Sequence, residues 1–553
     1  MSAHDDKPSS SVSGKATVRE TPAAKRAAAY TIPEGHPWAK LWIVWAAVAA
    51  AGLVLSGLGF TADPKRFAFS YLAAFAWGLT LSLGALFFVL LQHLTGAGWS
   101  VVVRRGAEQL MGALPLFAVL VLPILFVFRE TLYPWAGHAA HEPIIHAKSG
   151  YLNVPFWTVR AVVYFAIWVF FSYQLFSLSR RQDETGDPKL TLRAQALSAP
   201  GMLLFALSIT FAGIDWLMSL EPEWFSTMFG VYIFAGAVIS IMAFLCLLFS
   251  RMRGAGLLAR EVSPHHFHDL GKLLFAFTVF WAYISFSQYF LIWYANIPEE
   301  TDFFHHRQQG GWGWVGIALV LGHFFTPFFM LLSRHAKRFA PSLQLGSIII
   351  LVMHYVDLYW LVMPNVDHHV HPALYDAGPL LLVLGAMLAI TFRRMLAAPV
   401  MPVRDPRLDR SLEFENALGR PWHTRRASPR TCSFSASASA ASSRSWRCST
   451  GCRATTTACA TPSAKRRSTV ERTPTCSSCA RPSSGSSRRT PSSTPTASGC
   501  ASPSTGRWAC SPSAGATPSR ASGPRRAGRP RARARRPARA RRRSPRPRAP
   551  ARA

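Results

Sequence analysis

Ten long apolar runs separated by short polar loops make up the chain from about residue 41 to residue 393. They fall near 41–60, 68–92, 108–128, 156–178, 195–218, 226–250, 270–294, 312–333, 342–363 and 374–393. Each is close to the roughly 20 residues a helix needs to cross a hydrocarbon core. Apolar side chains surround each run instead of forming one stripe, which separates a span from a globular core helix. The pattern predicts an all-α integral membrane protein with about ten transmembrane helices over residues 37–400, flanked by disordered termini.

Loop charge predicts the orientation. With the N-terminus inside, the inner loops carry twelve Lys and Arg and the outer loops five, so the positive-inside rule puts both termini in the cytoplasm. Residues 1–36 lack apolar periodicity and a signal-peptide core, and read as a disordered cytoplasmic segment. Trp42, Tyr133, Trp135, Trp293, Tyr359 and Trp360 stand at span ends, where interfacial anchors belong.

Composition changes abruptly after a short cytoplasmic segment, 401–423. The formal charge of +33 sits mostly in residues 424–553, which hold 29 Lys and Arg and a single acid, Glu471. A nucleic-acid reading therefore does not extend to the body, and nucleic acid is not an expected partner. Eight of nine cysteines also lie in the tail, leaving the body with Cys246 alone and no cysteine-based metal or cluster site. The tail has no Leu, Ile, Met, Tyr, Asn, Gln or Asp. Almost all of its residues have a codon with G or C in the middle position, the signature of a GC-rich gene read in a shifted frame. The rival reading is a basic, disordered tail for anionic lipid or nucleic acid. Resequencing around codons 417–425 separates the two.

Ionisable side chains inside a bilayer cost about 2.5–3.5 kcal/mol or more, so each asks for a reason. His354 and Asp357 are three apart in the ninth span and share a helix face. His323 lies at similar depth in the eighth span, with Pro327 a predicted kink, and Asp215 lies in the outer third of the fifth. The seventh span adds hydroxyls at Tyr283 and Ser287. His93, Glu108, Asp269 and Lys272 are on the inner side, the last two spaced for a local ion pair or a point of proton uptake. Taken singly, each is equally a packing residue. Taken together, groups at inner, middle and outer depth read as steps of a proton relay. Loop histidines (His138, His141, His146; His368, His369, His371) and "SPHHFHD" at 263–269 read as solvated residues before metal ligands. No span-matched histidine pair announces haem.

Four stretches carry a family resemblance: "FAGIDWLMSLEPEWFSTMFGVY" (211–232), "HDLGKLLFAFTVFWAYISFSQYFLIWYANIPEET" (268–301), "HYVDLYWLVMPN" (354–365) and "DPRLDRSLEFEN" (405–416). Residues 36–416 resemble the NrfD-like membrane subunits of the polysulfide-reductase type, in particular the F-type subunit of bacterial alternative complex III. The resemblance implies ten helices including paired four-helix bundles, in the bacterial inner membrane. It implies a quinol:cytochrome c or quinol:oxidase oxidoreductase complex in the respiratory chain. Haem and iron–sulfur clusters then belong to partners: an iron–sulfur subunit, a multihaem cytochrome and a homologous membrane subunit. It also implies a quinone or quinol ligand for the assembly and proton half-channels at Asp215, His323, His354 and Asp357, with Tyr283 and Ser287 as hydroxyl links. A subunit of this kind is not expected to be catalytic alone. The chain departs from the family after residue 416, in its tail.

Two other readings remain from the residues. An independent proton-coupled transporter would show matched halves with broken helices; Pro200-Gly201 and Pro327 are candidate breaks, without a clear pair of halves. A purely structural scaffold would use every buried polar group for packing.

Overall fold

A computed structural model describes residues 29–137, 142–371 and 373–415. The tail at 424–553, most of the 1–36 segment, and His138 and His141 lie outside the described residues. Among those described there is no strand, and ten helices are long and apolar enough to cross a membrane. They are α1 (Pro37–Ala62), α2 (Pro64–Leu94), α3 (Val101–Phe126), α4 (Val154–Thr185), α5 (Pro188–Leu220), α6 (Phe229–Gly254), α7 (Pro264–Ala295), α8 (Trp312–Leu332), α9 (Ala340–Asn365) and α10 (Leu374–Leu396). Every predicted span has its helix, and most helices run several residues further than hydropathy marks.

The extra turns come from local start signals. Asp63, Asn153, Asp187 and Ser263 each accept a backbone N–H of the following turn, and each precedes a proline in that first turn. Gly186, at φ 71°, ends α4 in the left-handed conformation that glycine adopts without strain. Proline acts unevenly inside spans. Helix α3 restarts at Leu114 and Leu122, each followed by proline. Helix α8 contains a π-turn at Val320–Phe325 just before Pro327, in place of a simple kink. Pro200 lies inside a continuous helix, Pro188–Trp216, so it is not the break expected from sequence.

Helices α2–α5 pack as one four-helix bundle and α6–α9 as a second. Helices α2 and α6, the two most buried, join them. Their crossing is tight: a Cβ on Gly84 would lie 2.1 Å from the Ala237 carbonyl oxygen. Helices α1 and α10 pair on the outside through small residues. A Cβ on Gly52 would meet the Leu382 backbone at 2.2 Å, and one on Gly385 the Ala49 backbone at 2.4 Å. Close backbone approach through glycine is how helices associate where lipid removes the hydrophobic drive. Leu53, Val54 and Leu58 of α1 face outward, as a lipid-facing surface requires.

The face from which the chain enters α1 (the N face) is closed by residues after α10. Val403 N–H donates to Asp183 Oδ1 at 2.9 Å, and Asp405 Oδ2 accepts from Arg104 Nη2 at 2.9 Å. Ser411 Oγ donates to the Trp99 carbonyl at 2.7 Å. Residues 403–411 thus strap the starts of α3 and α7 to the end of α4, His266 of α7 lying 3.4 Å from Ser411 Oγ. Tyr133 and Trp135 are buried, the Tyr133 hydroxyl donating to the Trp216 carbonyl, so they are packing residues instead of interfacial anchors. Trp293 is exposed as expected of an anchor.

Candidate functional site

The most concentrated buried polar group lies in the second bundle. His354 projects from α9 toward α6 and α2. Gly236 of α6 makes the room: a Cβ there would lie 2.6 Å from His354 Cε1. His354 Nε2 is 2.9 Å from Thr80 Oγ1, and that hydroxyl is also 3.0 Å from the Trp77 carbonyl. A hydroxyl has one proton, so with it on the carbonyl, His354 Nε2 is the donor and Nδ1 is bare.

The π-turn of α8 carries His323 to the same depth. Its ring lies 6.3 Å, centroid to centroid, from that of His354, and 4.0 Å from the ring of Trp281 on α7. Neither nitrogen of His323 has a hydrogen-bond partner, although the side chain is fully buried. Trp281 continues the series by donating Nε1–H to Asp357 Oδ2 at 3.2 Å. The hydroxyl of Tyr232 on α6 donates to Asp357 Oδ1. Asp357 therefore has two neutral donors and no ion-pair partner among the described residues. Thr80, His354, His323, Trp281, Asp357 and Tyr232 form one cluster, drawn from five helices. Four groups in it can carry or pass a proton: two imidazoles, a carboxylate and a phenol.

Asp215 is not part of that cluster. It sits at the end of α5 and accepts from Arg160 Nε at 2.8 Å, Arg160 Nη2 at 2.9 Å and the Tyr164 hydroxyl at 2.8 Å. Arg160 itself lies over the Tyr151 ring at 3.9 Å. This is a saturated, bidentate clamp of the kind that fixes geometry. A cavity of about 20 Å³, room for about one water, is lined by Phe75, Leu79, Thr80, Ile209 and Trp216.

The residues toward the N face form two separate groups. Glu108 is fully buried and takes Arg104 Nε at 2.8 Å, Arg105 Nε at 3.3 Å and the Ser179 hydroxyl at 2.8 Å. Arg105 also pairs with Asp183. His93, nearby at the end of α2, has neither nitrogen paired. Asp405, outside the spans, completes this network. Burial favours its protonated form, but Arg104 and Arg407 outweigh that and hold its carboxyl well below the usual range. Asp269 and Lys272 make the local ion pair their spacing predicts, at 2.5 Å.

Tyr283 is 65% exposed on the outward face of α7 and is not among the groups around His354. The Ser287 hydroxyl donates to the Ile284 carbonyl of its own helix. No group of three or more metal-ligating side chains converges among the described residues.

Sequence reasoning missed Thr80, Trp281, Tyr232 and Gly236, which are ordinary residues of apolar spans. It also passed over Arg160, although a lone arginine inside the fourth run was a visible sign that some carboxylate needed a partner. No protein-family model matches the chain, and no curated protein matches it.

Proposed function

We propose that this chain is a membrane subunit of a quinol-oxidising respiratory complex, of the NrfD-like type resembling the F-type subunit of alternative complex III. Its own contribution is a proton path through the second bundle and a docking surface for the redox subunits. One observation carries this reading: His323 of α8 meets His354 and Asp357 of α9 in one buried cluster whose polar atoms are only partly paired. A packing role would leave such groups satisfied, because an unpaired polar atom at bilayer depth is costly.

Oxidising a quinol to a quinone releases two electrons and two protons. The electrons pass to haem and iron–sulfur groups on partner subunits, and then to a cytochrome c or an oxidase. The cluster receives and returns protons, one O–H or N–H bond forming as another breaks. Quinone is the ligand of the assembly, and no residue of this chain is assigned to it. The chain lies in the bacterial inner membrane with both termini in the cytoplasm, the orientation that loop charge favours.

The test is Asp357→Asn in the assembled complex, reconstituted into vesicles. Electron transfer from quinol should persist while proton movement falls. Unchanged coupling would sink the proposal. Copurification with haem and iron–sulfur proteins separates this reading from a transporter, which purifies alone. The scaffold reading draws on the Arg160–Asp215 clamp, where every group is satisfied. It predicts unchanged coupling at all four of Asp215, His323, His354 and Asp357.

A further inference from the structure

Among the described residues, three buried arginines at the face opposite the N face each hold a carboxylate, and the three pairs are not alike. Arg66 holds Asp376 at 2.6 Å, and that carboxylate also accepts from the Tyr359 hydroxyl and the Ala373 N–H. Arg160 holds Asp215 with Tyr164 as a third donor. The third pair differs: Glu221 is held by Arg307 Nη1 alone among the described residues, at 2.7 Å, and its side chain is 19% exposed.

Arg307 is buried, 2% exposed, and sits directly above the cluster around Asp357. Its Nη2 donates at 2.6 Å to the carbonyl of Leu361, one helical turn beyond Asp357 on α9. Its guanidinium lies 3.5 Å over the Phe303 ring. From there a continuous series of ring contacts leads back to the cluster: Phe303 to Trp224 at 3.9 Å, Trp224 to Phe229 at 5.8 Å, and Phe229 to Tyr232 at 6.2 Å. Tyr232 is the phenol bonded to Asp357. Burial lowers the Arg307 guanidinium from its ordinary value, and Glu221 beside it opposes that fall. Arg307 Nε is buried and has no partner.

We propose that Glu221, positioned by Arg307, is the carboxylate through which Asp357 exchanges its proton with the face opposite the N face. This rests on the relay reading above. One proton moves, carried by water between the two carboxylates: the Asp357 carboxyl becomes a carboxylate as the Glu221 carboxylate becomes a carboxyl, and Glu221 then releases the proton to solvent. Arg307 holds Glu221 in position between transfers. Asp376 and Asp215, on the same face, are each held by an arginine and further donors, whereas Glu221 has spare acceptor capacity, solvent contact and a place above Asp357.

The test uses the full-length protein in its complex, in oriented vesicles. Infrared spectroscopy follows protonation of the Asp357 carboxyl, whose band is identified by its loss in Asp357→Asn. A pH jump is applied to one face at a time, with the other face held in strong buffer. Glu221→Gln should slow protonation from the opposite face roughly a hundredfold, the scale of a lost acid–base group. Protonation from the N face should not change, and Glu221→Asp should restore much of the rate. A wild-type rate in Glu221→Gln overturns the proposal. So does equal slowing from both faces, or a slow rate in Glu221→Asp with native melting, since either makes Glu221 a structural residue. If Asp357→Asn leaves proton coupling intact, the relay itself fails, whatever Glu221→Gln does.

Discussion

The imidazole of His323 lies against the indole of Trp281, ring centroids 4.0 Å apart, and the same indole donates to Asp357 at 3.2 Å. Trp281 thus joins two titratable groups that do not touch. Trp281→Phe keeps an aromatic ring but removes the Nε1–H donor. The lost hydrogen bond to a buried carboxylate should cost about 1–3 kcal/mol. Thermal unfolding in detergent measures that. Proton coupling should fall with it, because Asp357 keeps only Tyr232 to orient it. A variant that melts early yet couples normally would show that Trp281 serves packing alone.

Gly236 tests the same cluster from the other side. An added methyl would sit 2.6 Å from His354 Cε1, so the imidazole must move. Gly236→Ala should break the 2.9 Å contact with Thr80 and cost about 1–3 kcal/mol as an overpacked site. A double variant, Gly236→Ala with His354→Ala, should recover most of that stability, because the clash is gone. Recovery of stability without recovery of coupling is the expected signature. No recovery of stability would show that the methyl clashes elsewhere.

What the sequence made legible follows from range. Ten spans were readable because each is set by its own hydropathy and by local caps such as Asp63-Pro64 and Asp187-Pro188. The shared face of His354 and Asp357 was readable from a spacing of three. Their partners were not. Thr80 is 274 positions from His354, Tyr232 is 125 from Asp357, and Trp281 is 76 from it. No local pattern encodes such pairings. Tyr283 shows a second limit. A helix that is apolar all round gives no sign of which face is inward, so a hydroxyl at a suitable depth reads the same whether it lines a bundle or faces lipid. The π-turn at Val320–Phe325 is likewise set by packing, with Pro327 its only local cue.

Asp215 and Asp357 should respond differently to removal. Asp215 is locked to Arg160, so Asp215→Ala strands a guanidinium that is nearly buried. Breaking such a pair from one side costs about 3–5 kcal/mol. Asp215→Ala should therefore lower the melting temperature strongly, and the double variant with Arg160→Leu should recover part of the loss. Asp357→Asn should change melting much less, since its amide oxygen can accept from Trp281 and its amide nitrogen can donate to the Tyr232 oxygen. Equal destabilisation by both would mean that the two carboxylates do the same structural work.

Asp405 gives the pH prediction. It lies in the strap after α10, fully buried in its side chain, with Arg104 at 2.9 Å and Arg407 at 3.2 Å. Burial disfavours its charge, but the two guanidinium groups win, and its carboxyl titrates well below the ordinary value. A depressed folded value means that the folded state binds its proton less readily than the unfolded chain does. The stabilisation is then fully present above the unfolded value, about 3.9, and is lost as pH falls below it toward the folded value. Wild-type protein should therefore lose stability progressively in acid below about pH 4. Asp405→Asn leaves Arg104 buried with Glu108 as its sole remaining anion, and should cost about 3 kcal/mol at neutral pH. It should also flatten the acid limb of a melting-temperature profile, because the group that titrates there is gone. The N face should open first, read as faster amide hydrogen exchange at Val403, whose N–H donates to Asp183 under the strap. An unchanged acid limb in Asp405→Asn would move that pH dependence to another carboxylate.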